Sequence, residues 1–107
     1  MRKHSVHYKT ATGAEPYTEF VNSLKDRAGA AKIRARVIRA ELGNLGAHRE
    51  VGAGVVELKI DFGPGYRIYV GLRGETSIIL LCAGDKSTQE KDIRTALDYW
   101  NDYRRNA

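Results

Sequence analysis

The stretch from residue 55 to residue 86, VVELKIDFGPGYRIYVGLRGETSIILLCAGDK, decides the predicted fold of this chain. In Val55–Asp61 and Tyr66–Arg73, apolar and polar residues alternate, which is typical of strands that are buried on one face. A Phe-Gly-Pro-Gly turn joins these two segments, and an Arg-Gly-Glu-Thr turn joins the second to the apolar run Ser77–Ala83. The stretch therefore predicts three strands joined by hairpins, with the third strand covered on both faces.

The alternation divides the first two of these strands into an apolar face and a polar face. The apolar face, which we expect to be scaffold, consists of Val56, Leu58, Ile60, Tyr66, Ile68 and Val70. The polar face carries Glu57, Lys59, Arg67, Tyr69 and Arg73. Because these residues come from adjacent strands, their side chains can converge. Arginine binds phosphate through paired hydrogen bonds and tyrosine can stack on a base, so the polar face is a candidate RNA site.

Two further observations bear on the polar face. Lys86 follows the third strand just before a helix N-terminus, a position that attracts anions. Alternating charges are also typical of the solvated side of an antiparallel sheet, on which Glu57 and Arg67 would form a cross-strand ion pair. The residues alone leave both interpretations open.

One strand and two helices are predicted ahead of the central stretch. His4–Thr10 alternates with period two, and Pro16 opens a helix whose apolar stripe is ended by Gly29. A second helix is predicted for Ala30–Leu45, and the two helices form an αα-hairpin on one face of the sheet. The segment 47–54 contains two glycines and has no clear period, so we expect an exposed, mobile loop there.

The second predicted helix has two different sides. Its apolar side, which we expect to cover the core, consists of Ile33, Val37, Ile38, Leu42 and Leu45. Its basic side, formed by Lys32, Arg36 and Arg39 at helical spacing, is expected to be solvated. Contact of this basic side with RNA or an acidic partner is the alternative.

A final helix follows the central stretch. Ser87 and Glu90 have the spacing of a capping box, and apolar residues then recur at helical spacing. Tyr99, Trp100 and Tyr103 at that spacing indicate packing, with an aromatic binding platform as the alternative. The predicted order is β-α-α-β-β-β-α, a single α+β domain over all 107 residues. It has a largely antiparallel four-stranded sheet, an N-terminal αα-hairpin and a C-terminal helix.

The composition favours an anionic partner and a cytoplasmic location. The net charge is +5 and the isoelectric point is near 9.5, which favours nucleic acid or an acidic protein as the partner. No apolar run approaches the roughly 20 residues of a membrane span, and no apolar segment follows the basic N-terminus as in a secretory signal. The single cysteine, Cys82, lies in an apolar strand, where a thiol is hard to ionise. The histidines, His4, His7 and His48, lack the spacing of a zinc site.

Three segments of the chain resemble a known group of bacterial proteins. GPGYRIYVG at 63–71, SIILLCAGDKSTQEKDI at 77–93 and ALDYW at 96–100 are similar to segments of the small RelE/ParE toxins of type II toxin–antitoxin modules. The resemblance is to the HigB-like branch, the addiction-module killer proteins, and it covers nearly the whole chain. The predicted element order agrees with the fold of these toxins.

The resemblance implies an mRNA endoribonuclease that acts in the ribosomal A site without a metal or other cofactor. In RelE-like enzymes the 2′-hydroxyl attacks the adjacent phosphate and leaves a cyclic phosphate end, so that translation is inhibited. By this resemblance Arg67 binds the phosphate and the transition state, and Lys86 stabilises the leaving group. Lys59 stabilises charge or takes part in proton transfer, and Glu57 is the candidate general base.

Three further residues complete the candidate site as RNA-binding residues, namely Tyr69, Arg73 and Lys91. Many RelE-like enzymes have a tyrosine or histidine shortly after the last strand, where this chain has Ser87-Thr88-Gln89. Tyr69 is the candidate replacement for that side chain.

The resemblance also implies partners. These are the ribosome with its mRNA, and a helix-turn-helix antitoxin that neutralises the basic face and represses the operon; DNA would be contacted only through that antitoxin. Two alternatives keep the fold and change the activity. A ParE-like protein would inhibit DNA gyrase without nuclease activity, and a basic regulator would use the sheet face only to bind a partner.

Overall fold

A mixed sheet forms the centre of the structure, a computed structural model that describes residues 2–106. Within these residues the sheet has five strands, and they are β1 (His4–His7), β2 (His48–Gly52), β3 (Val55–Lys59), β4 (Arg67–Arg73) and β5 (Ser77–Gly84). Their spatial order is β1-β5-β4-β3-β2. The β1–β5 pair is parallel and the other three pairs are antiparallel. The predicted α+β class is confirmed, and the sheet is largely antiparallel.

Helices cover both faces of this sheet. Helix α1 (Pro16–Ser23) and helix α2 (Arg27–Glu41) pack on one face, and helix α3 (Gln89–Asn106) packs on the other. A short 3₁₀ turn, Lys86–Thr88, leads into α3. None of the described helices is both long enough and apolar enough to cross a membrane.

The core beneath α1 and α2 contains the apolar face of β3 and β4. All six predicted scaffold residues, Val56, Leu58, Ile60, Tyr66, Ile68 and Val70, are buried there. Ile33 and Val37 of α2 pack against them. Burying each large apolar side chain contributes about 1.5–3 kcal/mol, so this layer holds the apolar face of the central strands against α1 and α2 and turns their polar face toward α3.

The core beneath α3 depends on a close approach between a helix and a strand. The indole of Trp100 lies so near β4 that a Cβ atom on Gly71 would be 2.2 Å from its Cζ3 atom. The indole N–H donates a 2.6 Å hydrogen bond to the Ala53 carbonyl. Trp100 is therefore a packing residue, as its helical spacing predicted, and it fixes α3 over the sheet.

The prediction of a loop for residues 47–54 was wrong, because most of this segment forms β2. His48 pairs with Leu58 and Arg49 with Glu57 along β3, with a bulge between Glu50 and Gly52. This edge strand is mainly exposed and interrupted by the bulge, so its sequence lacks the alternation of a half-buried strand. The sheet consequently has five strands rather than the predicted four.

The predicted helix boundaries were also wrong. Gly29 does not end α1; it lies in the first turn of α2, where its N–H donates to the capping carboxylate of Asp26 at 2.9 Å. Helix α2 ends at Glu41, earlier than predicted. Leu42, just beyond this end, is 63% exposed, and Ile38 within the helix is 51% exposed, so neither covers the core as predicted.

The start of the last helix differs from the predicted capping box as well. Asp85, not Ser87, is the cap: its Oδ1 atom accepts a 2.8 Å hydrogen bond from the Ser87 N–H. The Asp85 N–H in turn donates to the Thr88 hydroxyl at 3.4 Å. The helix N-terminus next to Lys86 is thus already capped by a carboxylate, which weakens the expectation that it attracts a further anion.

Arg36 was expected to be solvated and is instead only 5% exposed. Its Nε donates to the Lys59 carbonyl at 3.2 Å, and its Nη2 donates to the Ala47 carbonyl at 2.9 Å and to the Leu45 carbonyl. A buried guanidinium therefore ties the connection between α2 and β2 to the end of β3. Spacing on the helix could not reveal this, because the three acceptors are backbone atoms of other segments.

Replacing Arg36 with methionine keeps an apolar side chain and removes the donors to these carbonyls. We expect Arg36→Met to lower the free energy of unfolding by about 2–3 kcal/mol, since three part-buried carbonyls lose hydrogen bonds from a charged donor. Arg39→Met, three residues along the same helix and exposed, is the matched control and should change it by less than about 0.5 kcal/mol. Urea unfolding measures both values, and equal losses would contradict the anchoring role.

Candidate functional site

Three cations define the candidate site at one end of the sheet: Lys59, Arg67 and Lys86, which we call the basic cluster. Lys59 at the end of β3 is paired with Arg67 at the start of β4. Lys86 lies in the 3₁₀ turn that follows β5, and its N–H donates to the Pro64 carbonyl at 3.4 Å. Lys59 and Lys86 are exposed, so two of the three charges can be reached from solvent.

The turn before β4 brings Arg67 and Lys86 to the same place. Gly65 has a φ of +78°, and a Cβ atom there would lie 3.0 Å from Arg67 Nη1 and 3.6 Å from Lys86 Cβ. The Arg67 Nη1 atom donates a 2.6 Å hydrogen bond to the Gly65 carbonyl. Glycine therefore suits this position in two ways, through its positive φ and through the space that it leaves for the guanidinium.

Beside the basic cluster lies a buried carboxylate. Glu57 is fully buried, and its Oε1 accepts a 2.9 Å hydrogen bond from Arg49 Nε. Its Oε2 accepts hydrogen bonds of 2.9 Å from both the Tyr69 hydroxyl and Gln89 Nε2. Arg67 Nε lies 3.8 Å from the same Oε2 atom. Residues of three strands and of α3 thus meet at one side chain.

These contacts determine the charge of Glu57. Burial by itself raises the pKa of the carboxyl, but the hydrogen bonds from Gln89, Arg49 and Tyr69 outweigh it and hold the pKa below its ordinary value. The group is therefore a carboxylate near neutral pH, with both oxygens occupied. This environment does not suit the general base that the resemblance implied, and it suits a role in holding Arg49 and Arg67.

Tyr69 was expected to present its ring to RNA, but its side chain is fully buried under α3. Burial and the hydrogen bond to Glu57 raise the pKa of its hydroxyl well above the ordinary value. The ring offers no open face for stacking, so the stacking role was wrong. What the structure gives to Tyr69 is one of the hydrogen bonds that orient Glu57.

The other two predicted RNA-binding residues are Arg73 and Lys91, and Arg73 lies away from the basic cluster. Arg73 is six residues beyond Arg67 on β4, a distance of about 20 Å at roughly 3.3 Å per residue. Its guanidinium contacts Tyr103, with Nη1 3.0 Å from the tyrosine hydroxyl oxygen. Lys91 is exposed in the first turn of α3. The sequence therefore predicted one polar face correctly and overestimated how closely its residues converge.

Two residues of the site, Arg49 and Gln89, were missed. Arg49 lies in the segment taken for a loop, and its partner Glu57 is eight residues away across a strand pair that alternation could not detect. Gln89 stands shortly after the last strand, where many RelE-like enzymes have a tyrosine or histidine. That position after the strand was the one signal in the sequence that could have identified Gln89. In the structure its side-chain amide donates to Glu57.

Cys82 and the histidines lie outside this site. Burial raises the pKa of the Cys82 thiol to about 12, which suits a packing residue. His48 contacts the Gly46 carbonyl at 2.7 Å at the sheet edge. Across residues 2–106, no three side chains of histidine, cysteine, aspartate or glutamate are grouped so that they could hold a metal ion.

Fold and site together define a small α+β protein with a basic cluster at one end of its sheet. No protein-family model matches the chain. It is similar to a protein of Haemophilus influenzae (strain ATCC 51907 / DSM 11121 / KW20 / Rd) that is described as an uncharacterized protein. The two are 45% identical over 80 residues, which are 75% of this chain and 81% of the relative. The chain belongs to the same family as that Haemophilus protein.

The buried carboxylate gives a prediction about stability and pH. Glu57→Gln removes a negative charge that two arginines face. We expect it to lower the free energy of unfolding by about 3 kcal/mol at neutral pH. Because folding lowers the pKa of Glu57, its contribution is complete above the unfolded pKa of about 4.5 and is lost as the pH falls through the folded value. The difference between wild type and Glu57→Gln should therefore shrink in acid.

Denaturant unfolding at neutral pH and near pH 3 measures this difference. Glu50→Gln, an exposed acid on the neighbouring strand, is the control and should behave like the wild type at both pH values. A Glu57→Gln variant whose stability deficit is the same in acid as at neutral pH would show that folding does not lower the pKa of Glu57.

Proposed function

We propose that this protein is the toxin of a type II toxin–antitoxin module and that it cleaves mRNA on the ribosome without a metal ion. The observation that carries the proposal is the meeting of Lys59, Arg67 and Lys86 at one end of the sheet. The resemblance of the GPGYR and GDKS segments to HigB-like toxins supports it independently. Both point to a ligand that is a phosphodiester.

The chemistry of the proposed reaction needs positive charge more than it needs a strong base. The 2′-hydroxyl gives up its proton to solvent as its oxygen forms a bond to the adjacent phosphorus. The bond from phosphorus to the 5′-oxygen breaks, the leaving 5′-oxygen takes up a proton from solvent, and a cyclic phosphate remains. Negative charge builds up on the phosphoryl oxygens and on the leaving oxygen in the transition state. Fixed cations at those positions lower the barrier, because they need no reorganisation as the charge develops.

Each member of the basic cluster has a role in this proposal. The hydrogen bond to the Gly65 carbonyl orients the Arg67 guanidinium before RNA binds, and the charge of Glu57 lies 3.8 Å from its Nε. Arg67 binds the phosphoryl oxygens, for which a planar guanidinium is well shaped. Lys86 stabilises the leaving 5′-oxygen. Lys59, exposed opposite Arg67, stabilises charge near the attacking 2′-oxygen or takes part in moving its proton.

Arg49 extends this proposal beyond the residues that the sequence suggested. Its Nε is held by Glu57, and half of its side chain remains exposed. It therefore belongs to the same charged surface as Arg67, with Glu57 as the anion between them. We assign Arg49 to binding of the RNA backbone and Glu57 to positioning both arginines.

The partner in this proposal is a helix-turn-helix antitoxin. Such a protein silences the toxin by covering the basic cluster, and it represses the operon when bound to the toxin. Acidic residues of the antitoxin would complement Lys59 and Lys86, which have no carboxylate oxygen within 4.0 Å among residues 2–106.

Lys86→Ala tests the nuclease directly. We expect ribosome-dependent mRNA cleavage to fall by about 10²-fold or more, since one fixed charge at the leaving oxygen is lost. Lys59→Ala should behave similarly. The control is Lys25→Ala, which removes an exposed lysine near the start of α2 and should leave cleavage unchanged. Primer extension on ribosome-bound mRNA measures the cleavage.

A gyrase assay provides the opposing outcome. If the wild type cleaves no mRNA on ribosomes but inhibits DNA supercoiling, and Lys86→Ala inhibits it equally, the nuclease proposal is overturned in favour of the ParE-like alternative. Wild-type thermal stability in both variants is the condition for interpreting either assay. Arg67→Ala is less suitable as the first test, because it removes a partner of buried Glu57.

A further inference from the structure

A second positively charged region, built from two arginines and two aromatic residues, lies at the opposite end of β4 from the basic cluster. It consists of Arg73, Trp100, Tyr103 and Arg104, and we call it the distal patch. These residues line a depression of about 430 Å³ between the β4–β5 turn and the end of α3. Two elements far apart in sequence contribute its two arginines, so helix-end charge alone does not account for it.

Stacking orients both arginines of the distal patch. The Arg73 guanidinium carbon lies 5.8 Å from the centre of the Tyr103 ring, and the Arg104 carbon lies 5.5 Å from the Trp100 ring. The Trp100 and Tyr103 rings are themselves stacked, with centroids 5.7 Å apart and planes 6° apart. The aromatic pair is thus a rigid platform that holds two guanidinium groups at the surface.

The charges of these arginines are available to a ligand. In the described part of the chain, neither Arg73 nor Arg104 has a carboxylate oxygen within 4.0 Å. Their hydrogen bonds to protein groups are to neutral oxygens, those of Tyr103 and Asn101. Both side chains are exposed. Each guanidinium therefore keeps unused donors, whereas nearby Arg105 is paired with Asp102 at 3.7 Å.

The position of the distal patch relative to the basic cluster indicates the kind of ligand. Arg67 and Arg73 share one face of β4, and about 20 Å of strand separates them. A flexible polymer with regularly spaced negative charges can contact both regions at once. Planar guanidiniums suit phosphate through paired hydrogen bonds and suit bases through stacking.

We propose that the distal patch is a second RNA-binding site, which holds the phosphate backbone and bases of a single strand whose cleavable segment lies at the basic cluster. The assignment of a cleavable segment rests on the proposed function, but binding at the distal patch does not. In this arrangement Arg73 and Arg104 bind two phosphates. They contribute to affinity and to the alignment of the strand, and they take no part in the reaction itself.

Direct binding tests the distal patch without any cleavage. The probe is a fluorescein-labelled 2′-O-methyl RNA of about 12 nucleotides, a length within the range that single-strand surfaces cover. Its methylated 2′-oxygen cannot attack, so the probe stays intact. Fluorescence anisotropy gives the affinity of the wild type and of Arg73→Gln/Arg104→Gln at several salt concentrations. The control variant Lys25→Gln/Arg34→Gln removes the same charge from exposed positions on the helical side.

The distal variant should bind the RNA at least about tenfold more weakly than the wild type. Its plot of log affinity against log salt should be shallower by about 0.7 for each of two lost phosphate contacts. The control variant should lose less than about threefold. Arg73→Lys/Arg104→Lys should recover most of the salt slope, because it restores the charges, and circular dichroism should show the native fold in every variant.

Three results would overturn the distal patch as an RNA site. These are equal losses in the distal and control variants, no loss in the distal variant, or equally tight and equally patch-dependent binding of a DNA duplex of the same length. Ribosome-dependent cleavage is measured separately on the same proteins. If binding depends on the distal patch but no mRNA is cleaved, the RNA site stands and the nuclease proposal is overturned. If mRNA is cleaved but binding does not depend on the distal patch, the nuclease proposal stands and the RNA site is overturned.

Discussion

The buried carboxylate of Glu57 is the interaction on which the candidate site depends. A charge inside a protein is costly unless it is paired and fully hydrogen-bonded, and Glu57 meets both conditions through Arg49, Tyr69, Gln89 and Arg67. These partners come from β2, β4 and the start of α3. The carboxylate can therefore be satisfied only when the sheet edge, the central hairpin and the last helix are all in place. One side chain couples the fold of these elements to the orientation of two arginines.

Helix α3 decides which part of the polar sheet face remains open. Trp100 lies directly on Gly71 and so fixes the helix over the middle of β4. Tyr69 is buried beneath the helix, whereas at the two ends of β4 Arg73 is exposed and Arg67 keeps 13% of its side chain exposed beside Lys59 and Lys86. Positive charge is therefore concentrated in two regions, the basic cluster and the distal patch, rather than spread along a solvated face.

Polar contacts to the backbone account for several departures from the predicted boundaries. Asp26 accepts the Gly29 N–H and also a 2.7 Å hydrogen bond from the Tyr66 hydroxyl, so α2 starts where the sheet supplies a partner for its cap. Arg36 binds carbonyls of the segment that leads into β2. Both interactions join residues that are distant in sequence. Hydrophobic period describes one element at a time and contains no information about such partners.

The sequence by itself determined the α+β class, the three central strands and the division of β3 and β4 into a buried and a polar face. It could do so because alternation with period two and glycine-rich turns are local properties of the chain. It also selected Lys59, Arg67 and Lys86, which the structure brings together. Tertiary structure alone decided that 48–52 is a strand, that Tyr69 is buried and that Glu57 binds Arg49 and Gln89. Edge pairing, burial under a helix and hydrogen bonds across the sheet all depend on which elements become neighbours, and that is settled only when the whole chain packs.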